Sequence, residues 1–191
     1  MILMSPFLYT THLIQVYGQA NKPEGYRFPE YKEISILVAF ILLWGVVQKT
    51  VLAICNKLYE PIVKSQDNPE LKAKYIAKSS ESTAKGILYS IHFIWGCTIL
   101  YKTDWIPWYQ LGDGLFANQI KNIPFTEVPY DIHFYCLSFS GYYAFQLVDL
   151  AIFGRDRVDF HEMMCHHIAA TSLVFCMIAA NTEPAGIIMA W

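Results

Sequence analysis

Long apolar runs separated by short polar segments dominate the sequence. A helix that crosses a membrane needs about 20 mostly apolar residues, and four runs approach or exceed that length: Ile34–Cys55, Gly86–Tyr101, Tyr130–Phe153 and Phe160–Ala180. The second run is short, and we expect it to gain length from the residues just before it. The pattern predicts an all-α fold, a polytopic membrane helix bundle or barrel with about four complete spans.

A fifth apolar run begins at Pro184, after a turn at Asn181. Proline favours the first turn of a helix, so residues 184–191 are expected to open a further span. A helix of that length reaches only about 12 Å, whereas the hydrocarbon core is about 30 Å thick. We therefore expect an incomplete fifth span in a chain that is a fragment. A short re-entrant or interfacial tail is the alternative.

The N-terminal residues 1–33 differ from the predicted spans. Their apolar run has no basic start, and Ser5-Pro6 and Thr10-Thr11 interrupt it. A cleaved signal peptide has a basic start and an unbroken apolar centre, whereas an interrupted apolar helix suits the membrane interface. We predict two regions: an N-terminal interfacial segment over 1–33, and a transmembrane domain over 34–191 that is incomplete at its C-terminus.

Composition and charge agree with a membrane protein and suggest its orientation. Hydrophobic residues make up 54% of the chain and charged residues 16%, against about 25% charged in soluble domains. The net charge of −2 gives no reason to expect a nucleic-acid partner. Lysine and arginine cluster in 56–85 and 154–159 more than in 102–129. Because cytoplasmic loops carry the excess of these residues, we place 56–85 and 154–159 in the cytosol.

Ionisable side chains interrupt the last complete span, in the stretch DFHEMMCHHIAATSL over 159–173. Such groups at membrane depth are costly and are functional candidates. On a helix, Asp159, Glu162 and His166 share one face and His167 points about 100° away. His166 lies about 10 Å past the cytosolic start of the helix.

Three roles can be weighed for this stretch. A zincin-type metal site needs histidines at i and i+4, but His161 and His166 are five apart and do not converge, so we predict no metal. A neutral histidine in a partly dry site can take a proton from an amine or attack an acyl group. A histidine can also simply hydrogen-bond across a helix interface. The last two roles stay open from the spacing.

Polar residues in the third span fall at matching depths. Gln146 and Asp149 approach the cytosolic end of Tyr130–Phe153, level with the histidines of the next helix. We expect both helices to line one polar cavity, with His133, Gln146, Tyr142 and Thr171 as substrate-lining residues. Asp149 can instead extend to the cytosolic interface, and that alternative stays open.

The stretch 159–173 resembles the Lag motif of ceramide synthases, within the wider TRAM/LAG1/CLN8 (TLC) domain family. The resemblance rests on residues in the motif's order: Asp159, Phe160, Glu162, Met163, His166, His167, Thr171 and Leu173. The segments KSSESTAKGILYS (78–90) and DWIPWY (104–109) are also similar to the family's pattern. The likeness covers roughly residues 75–191, so the transmembrane domain is TLC-like. The family motif continues into two carboxylates beyond Trp191.

The resemblance implies a multi-helix membrane barrel in the endoplasmic reticulum. It also implies acyl transfer from fatty acyl-CoA, as co-substrate and without a cofactor, to the amine of a sphingoid base. His166 and His167 would then be catalytic, supported by Glu162, Asp159 and Asp149. The partners would be these substrates and membrane lipids, with homo- or hetero-oligomers left open. A non-enzymatic TLC-type lipid-binding or lipid-sensing protein, or an accessory subunit of a membrane complex, is the alternative.

Overall fold

The computed structural model describes residues 4–24, 30, 33–63, 68–101, 103–104, 113–119, 125 and 127–183. Within these residues the α-helices are α1 (Met4–Asn21), α2 (Ile34–Ile62), α3 (Pro69–Leu100), α4 (Tyr130–Phe153) and α5 (Phe160–Ala179). A 3-10 helix occupies Phe116–Gln119, and no strand occurs in the described part of the chain. The predicted all-α class is confirmed.

Three of the described helices, α2, α4 and α5, are long and apolar enough to cross a membrane. α4 has the predicted bounds, and α5 ends one residue earlier than predicted. The outer face of α2 is apolar, with Leu42 and Val46 each 67% exposed, as a lipid-facing surface requires. The predicted run Gly86–Tyr101 falls in the second half of α3, whose first half is polar. About four spans were predicted, and three described helices have the length and apolar composition of a membrane span. The expected fifth span at 184–191, and most of the segment 104–109, lie outside the described residues.

Local sequence signals set several helix ends. Asn68 caps α3, because its side-chain oxygen accepts hydrogen bonds from the backbone N–H groups of Glu70 at 3.0 Å and Leu71 at 3.3 Å. Pro69 follows at the first helical position, where its missing N–H costs nothing. Asn181 has a φ of 55° after the end of α5, a left-handed conformation that asparagine tolerates. These residues fix where the chain turns between spans.

An aromatic core joins α2, α3 and α4. The ring of His92 on α3 lies 4.4 Å from that of Trp44 on α2 and 5.1 Å from that of Tyr142 on α4. The indole N–H of Trp44 donates a hydrogen bond to the Ser138 hydroxyl at 3.0 Å. Buried aromatic rings in such tilted contacts add stability beyond their burial. This core fills the middle of the bundle, so a cavity must lie towards its ends.

Close approach of α2 and α4 depends on Gly141. A Cβ atom at this position would lie 2.5 Å from the Cβ of Phe40. Small residues let membrane helices approach each other closely. Gly141 therefore sets the spacing that brings the polar residues of α2 and α4 together further along the same interface.

The helices run up and down, so the bundle has two distinct ends. We call the "basic end" the one that carries the final turns of α2 and α4, the first turns of α3 and α5, and the connection 154–159. The "opposite end" carries the starts of α2 and α4 and the ends of α3 and α5. In the predicted orientation the basic end faces the cytosol.

Candidate functional site

A cavity of about 360 Å³, lined by both polar and apolar residues, opens between α2, α3 and α4 towards the basic end. Its size lies in the range of small-molecule sites. The lining residues combine charged, amide and apolar side chains: Gln48, Leu52, Asn56, Ala77, Glu81, Ala84, Lys85, Gln146, Asp149, Leu150, Phe153, Gly154 and Arg157. The aromatic core beside the cavity has fewer polar side chains. We therefore take this cavity as the candidate binding site.

Two buried amides form the inner wall of the cavity. The side-chain N–H of Gln146 on α4 donates a hydrogen bond to the side-chain oxygen of Gln48 on α2. Closer to the basic end, Asp149 accepts a hydrogen bond from Lys49 at 2.5 Å. The ammonium of Lys49 also lies 4.9 Å from the centre of the Phe153 ring. The polar side chains of α2 and α4 thus satisfy each other across the interface.

Charged side chains surround the mouth of the cavity. One carboxylate oxygen of Glu81 lies 2.6 Å from the ammonium of Lys85 and 3.1 Å from a terminal nitrogen of Arg157. The other nitrogens of Arg157 donate to the two oxygens of Asp159, at 3.0 and 3.3 Å. These hydrogen bonds hold the pKa of Asp159 below its ordinary value and raise the pKa of Arg157. Both groups are therefore charged at neutral pH.

The two adjacent histidines of α5 have different surroundings. His167 is 8% exposed and faces α4, where its ring lies 6.4 Å from that of Tyr143. Its Nδ1 atom is buried without a hydrogen-bond partner in the described part of the chain. The buried hydroxyl of Thr171, one turn further on, is in the same situation. The ring of His166 lies 5.6 Å from that of His167 but is exposed on the helix surface.

Glu162 and Asp159 were predicted to support this pair. Glu162 is exposed in the first turn of α5, and no hydrogen bond joins it to His166 among the residues described. Asp159 lies at the start of the helix, where it binds Arg157. Its direct partner is therefore the arginine of the mouth, and its support of the histidines stays a prediction.

His133 lies at the opposite end of the bundle, in the first turn of α4. Its Nε2 is 2.9 Å from a carboxylate oxygen of Glu33, and its Nδ1 is hydrogen-bonded to Glu183. All three side chains are buried. The group ties the residue before α2 and the segment after α5 to α4, roughly 20 Å along the helix from Gln146. Tyr142 is fully buried in the aromatic core and does not line the cavity.

The structure therefore brings together only part of the predicted set. Gln146 and Asp149 line the cavity, whereas no residue of α5 does, so this cavity is not shared by α4 and α5 as expected. His167 instead faces Tyr143 of α4. Sequence reasoning missed that Lys85 and Arg157 converge on Glu81, because their charges had been used only to orient the spans. It also missed Glu33 and Glu183 as partners of His133, since they lie far apart in the chain. No group of three metal-ligating side chains suited to an ion occurs within the described ranges.

Comparison with known proteins gives the family. The TLC domain model, TRAM_LAG1_CLN8, matches residues 78–191, which is more than half of the chain. Ceramide synthase 4 from Mus musculus is 26% identical over 120 residues, which cover 62% of this chain and 27% of that protein. The chain thus matches little more than a quarter of the length of this curated relative. No solved structure matches. With three described helices able to cross a membrane, the chain is a multi-pass membrane protein that belongs to the TLC domain family.

Proposed function

We propose that this protein is a ceramide synthase-like N-acyltransferase that moves a fatty acyl group from acyl-CoA to the amine of a sphingoid base. His166 and His167 would act on the reacting groups at the cytosolic side of the membrane. The similarity to murine ceramide synthase 4 and the ordered match around the two histidines support this proposal. The endoplasmic reticulum membrane is the location that we propose on the same grounds.

One observation carries the proposal: the Nδ1 atom of His167 is buried and has no hydrogen-bond partner among the described residues. Nearly all buried polar atoms in proteins are hydrogen-bonded, so an exception calls for an explanation. A group that meets its partner only when substrate is bound is one such explanation. Other buried atoms of this kind occur in the described residues, among them the hydroxyls of Ser140 and Tyr142, so the property alone does not mark a site. His167 and Thr171 lie one turn apart on α5, however, and their two atoms are consistent with a substrate-contacting face on that helix.

Two routes of acyl transfer are open to an imidazole pair. In the first, a neutral imidazole removes a proton as the amine nitrogen attacks the thioester carbonyl. The carbon–sulfur bond then breaks, and the proton passes to the departing thiolate of CoA. In the second, an imidazole nitrogen attacks the thioester and expels the thiolate, and the amine then takes the acyl group from the acyl-imidazole. Two adjacent rings allow one to carry the acyl group while the other moves the proton.

The reaction can be tested in vesicles that contain the full-length protein. We expect acylation of dihydrosphingosine by fatty acyl-CoA, and a fall to background when His166 and His167 are both changed to alanine. His161→Ala is the matched control, because His161 is an exposed histidine on the same helix. An unchanged rate in the double variant would refute the proposed mechanism.

A non-enzymatic lipid-binding or lipid-sensing role is the second candidate. It is favoured by the exposure of His166 and Glu162 on α5, where a proton-transfer pair would be expected to have closer partners. This alternative predicts that a lipid co-purifies with the protein while no acyl transfer is detected. Turnover by the wild-type protein that depends on the histidines would exclude it.

A further inference from the structure

We propose that Lys85 and Arg157 form a binding site for a phosphate-bearing ligand at the mouth of the basic-end cavity, with Glu81 occupying the place of the anion. The inference rests on the proposed function for the identity of its main ligand, a thioester donor that carries phosphate groups. The site is formed by the side chains at the mouth and does not require the histidines.

The first step is the convergence of two cations on one oxygen atom. The ammonium of Lys85 and a terminal nitrogen of Arg157 lie 2.6 and 3.1 Å from the same carboxylate oxygen of Glu81. The two nitrogens are therefore at most about 6 Å apart, a distance that one phosphate group can bridge with charge-assisted hydrogen bonds. Both cations line the cavity and come from different elements, α3 and the connection between α4 and α5.

Arg157 is held in place by Asp159. Its Nε and one terminal nitrogen donate to the two oxygens of Asp159, at 3.0 and 3.3 Å. This paired contact fixes the plane of the guanidinium and leaves the other terminal nitrogen directed at Glu81 and the cavity. Asp159 is thus a positioning residue for Arg157, which is a role different from support of the histidines.

The third step is the charge around the mouth. Two carboxylates line the cavity, Glu81 and Asp149, and Asp149 is engaged by Lys49. Asp159 is engaged by Arg157, and the connection and the first turn of α5 also carry Asp156 and Glu162, both exposed. Glu81 is the carboxylate shared between two cations, and its side chain is 43% exposed. A ligand phosphate carries more charge and more acceptor oxygens than a carboxylate, so it can displace Glu81 from the two nitrogens. Glu81 then turns towards water.

Further lysines on the polar half of α3 reinforce this preference. The part of α3 before the mouth carries three further lysines, Lys72, Lys74 and Lys78. The acidic residues in the same half of the helix are Glu70 and Glu81. An excess of one sign of charge near a cleft raises the local concentration of the oppositely charged ligand. The mouth is therefore suited to capture an anion that arrives from the basic side.

Two sources can supply the phosphate: a soluble nucleotide-type donor, or the headgroup of an anionic lipid. Coenzyme A serves as the soluble probe, and vesicles that contain 20% phosphatidic acid in phosphatidylcholine serve as the lipid probe. Binding of each is measured with the full-length purified protein. Lys85→Gln and Arg157→Gln are compared with Arg155→Gln, since Arg155 is exposed in the same connection and hydrogen-bonds to the carbonyl of Ala151.

We expect Lys85→Gln and Arg157→Gln each to weaken binding of coenzyme A about 10-fold, as loss of a charged hydrogen bond does, with little change for Arg155→Gln. A loss confined to the phosphatidic acid vesicles would assign the same site to a lipid headgroup. Glu81→Gln is expected to tighten binding several-fold, because the internal competitor is gone. Its control is Glu70→Gln, at an exposed acid in the first turn of α3, which removes the same negative charge away from the mouth.

The proposal is overturned if neither probe distinguishes Lys85→Gln and Arg157→Gln from Arg155→Gln, or if Glu81→Gln binds no tighter than Glu70→Gln. Thermal unfolding of every variant shows whether a loss of binding reflects misfolding. The tighter binding expected for Glu81→Gln cannot result from misfolding. Coenzyme A binding that persists without any acyl transfer would refute the proposed function and leave the site intact. Acyl transfer with an unchanged KM for acyl-CoA in both cation variants, together with unchanged binding of the phosphatidic acid vesicles, would refute the site and leave the function intact.

Discussion

Removal of the imidazole of His133 gives a large and specific prediction for stability. The change His133→Phe keeps a ring of similar size but deletes both nitrogens that contact Glu33 and Glu183. The two carboxylates are 7% and 0% exposed, so water gains little access to them when the imidazole is removed. Breaking a buried charge pair in this way costs about 3–5 kcal/mol, which is a large share of the free energy of unfolding of an ordinary domain.

The measurement is the free energy of unfolding in mixed micelles during a denaturant titration. A triple variant, Glu33→Gln with His133→Phe and Glu183→Gln, removes the buried charges as well as the imidazole. We expect it to regain much of the loss, because replacing a whole buried ion group is often close to neutral. His161→Phe is the control on an exposed histidine.

A loss of less than about 1 kcal/mol in His133→Phe would refute the reasoning, since that is the scale of an exposed pair. Equal losses in the single and triple variants would also refute it, because the cost would then come from packing of the ring. Acyl transfer per folded molecule tests separately whether His133 lines the substrate path, as the sequence predicts.

Three further predictions concern the helix interface and the mouth of the cavity. Gly141→Ala should lower the free energy of unfolding by about 1–3 kcal/mol, because the added methyl group overpacks against Phe40. Gly86→Ala is the control and should leave the free energy of unfolding unchanged or raise it, because a Cβ there meets nothing within 4 Å. Equal effects of the two changes would contradict the role of Gly141. Gln146→Leu should cost about 1–3 kcal/mol because its amide partner on α2 loses its donor, and an unchanged unfolding midpoint would count against that pair. The lowered pKa of Asp159 implies that its contact with Arg157 stabilises the folded protein. This stabilisation is fully present above the usual aspartate pKa of about 3.9. It is lost as the pH falls through the lower pKa that Asp159 has in the folded protein. Asp159→Asn should therefore unfold at a lower temperature than wild type at neutral pH and at the same temperature in strong acid, and a difference that persists in acid would refute this.

The helices could be predicted well from the sequence because their signals are local. Tyr130–Phe153 has the predicted bounds, since an apolar run between a proline and a glycine leaves little freedom in where a helix begins and ends. The helix that contains Gly86–Tyr101 starts earlier than predicted. It continues backwards to the cap at Asn68 through polar residues, which an apolar pattern does not mark.

The site could be predicted only where its parts lie close together in the chain. The adjacent histidines and the depth of Gln146 follow from counting residues along two helices joined by a short connection. The shared contact of Lys85 and Arg157 with Glu81 does not, because it depends on how α3 packs against the end of α4. The same holds for His133, whose carboxylate partners lie 100 and 50 residues away in sequence.

The central claim is that a buried imidazole of α5 performs acyl transfer, and the most direct test is the turnover rate of single variants at saturating substrate. His167→Ala should lower the acylation of dihydrosphingosine at least about 100-fold, the lower limit for loss of a general base, with folding and coenzyme A binding retained. His161→Ala should retain the wild-type rate. A His167→Ala protein that turns over within a few-fold of wild type would contradict the account.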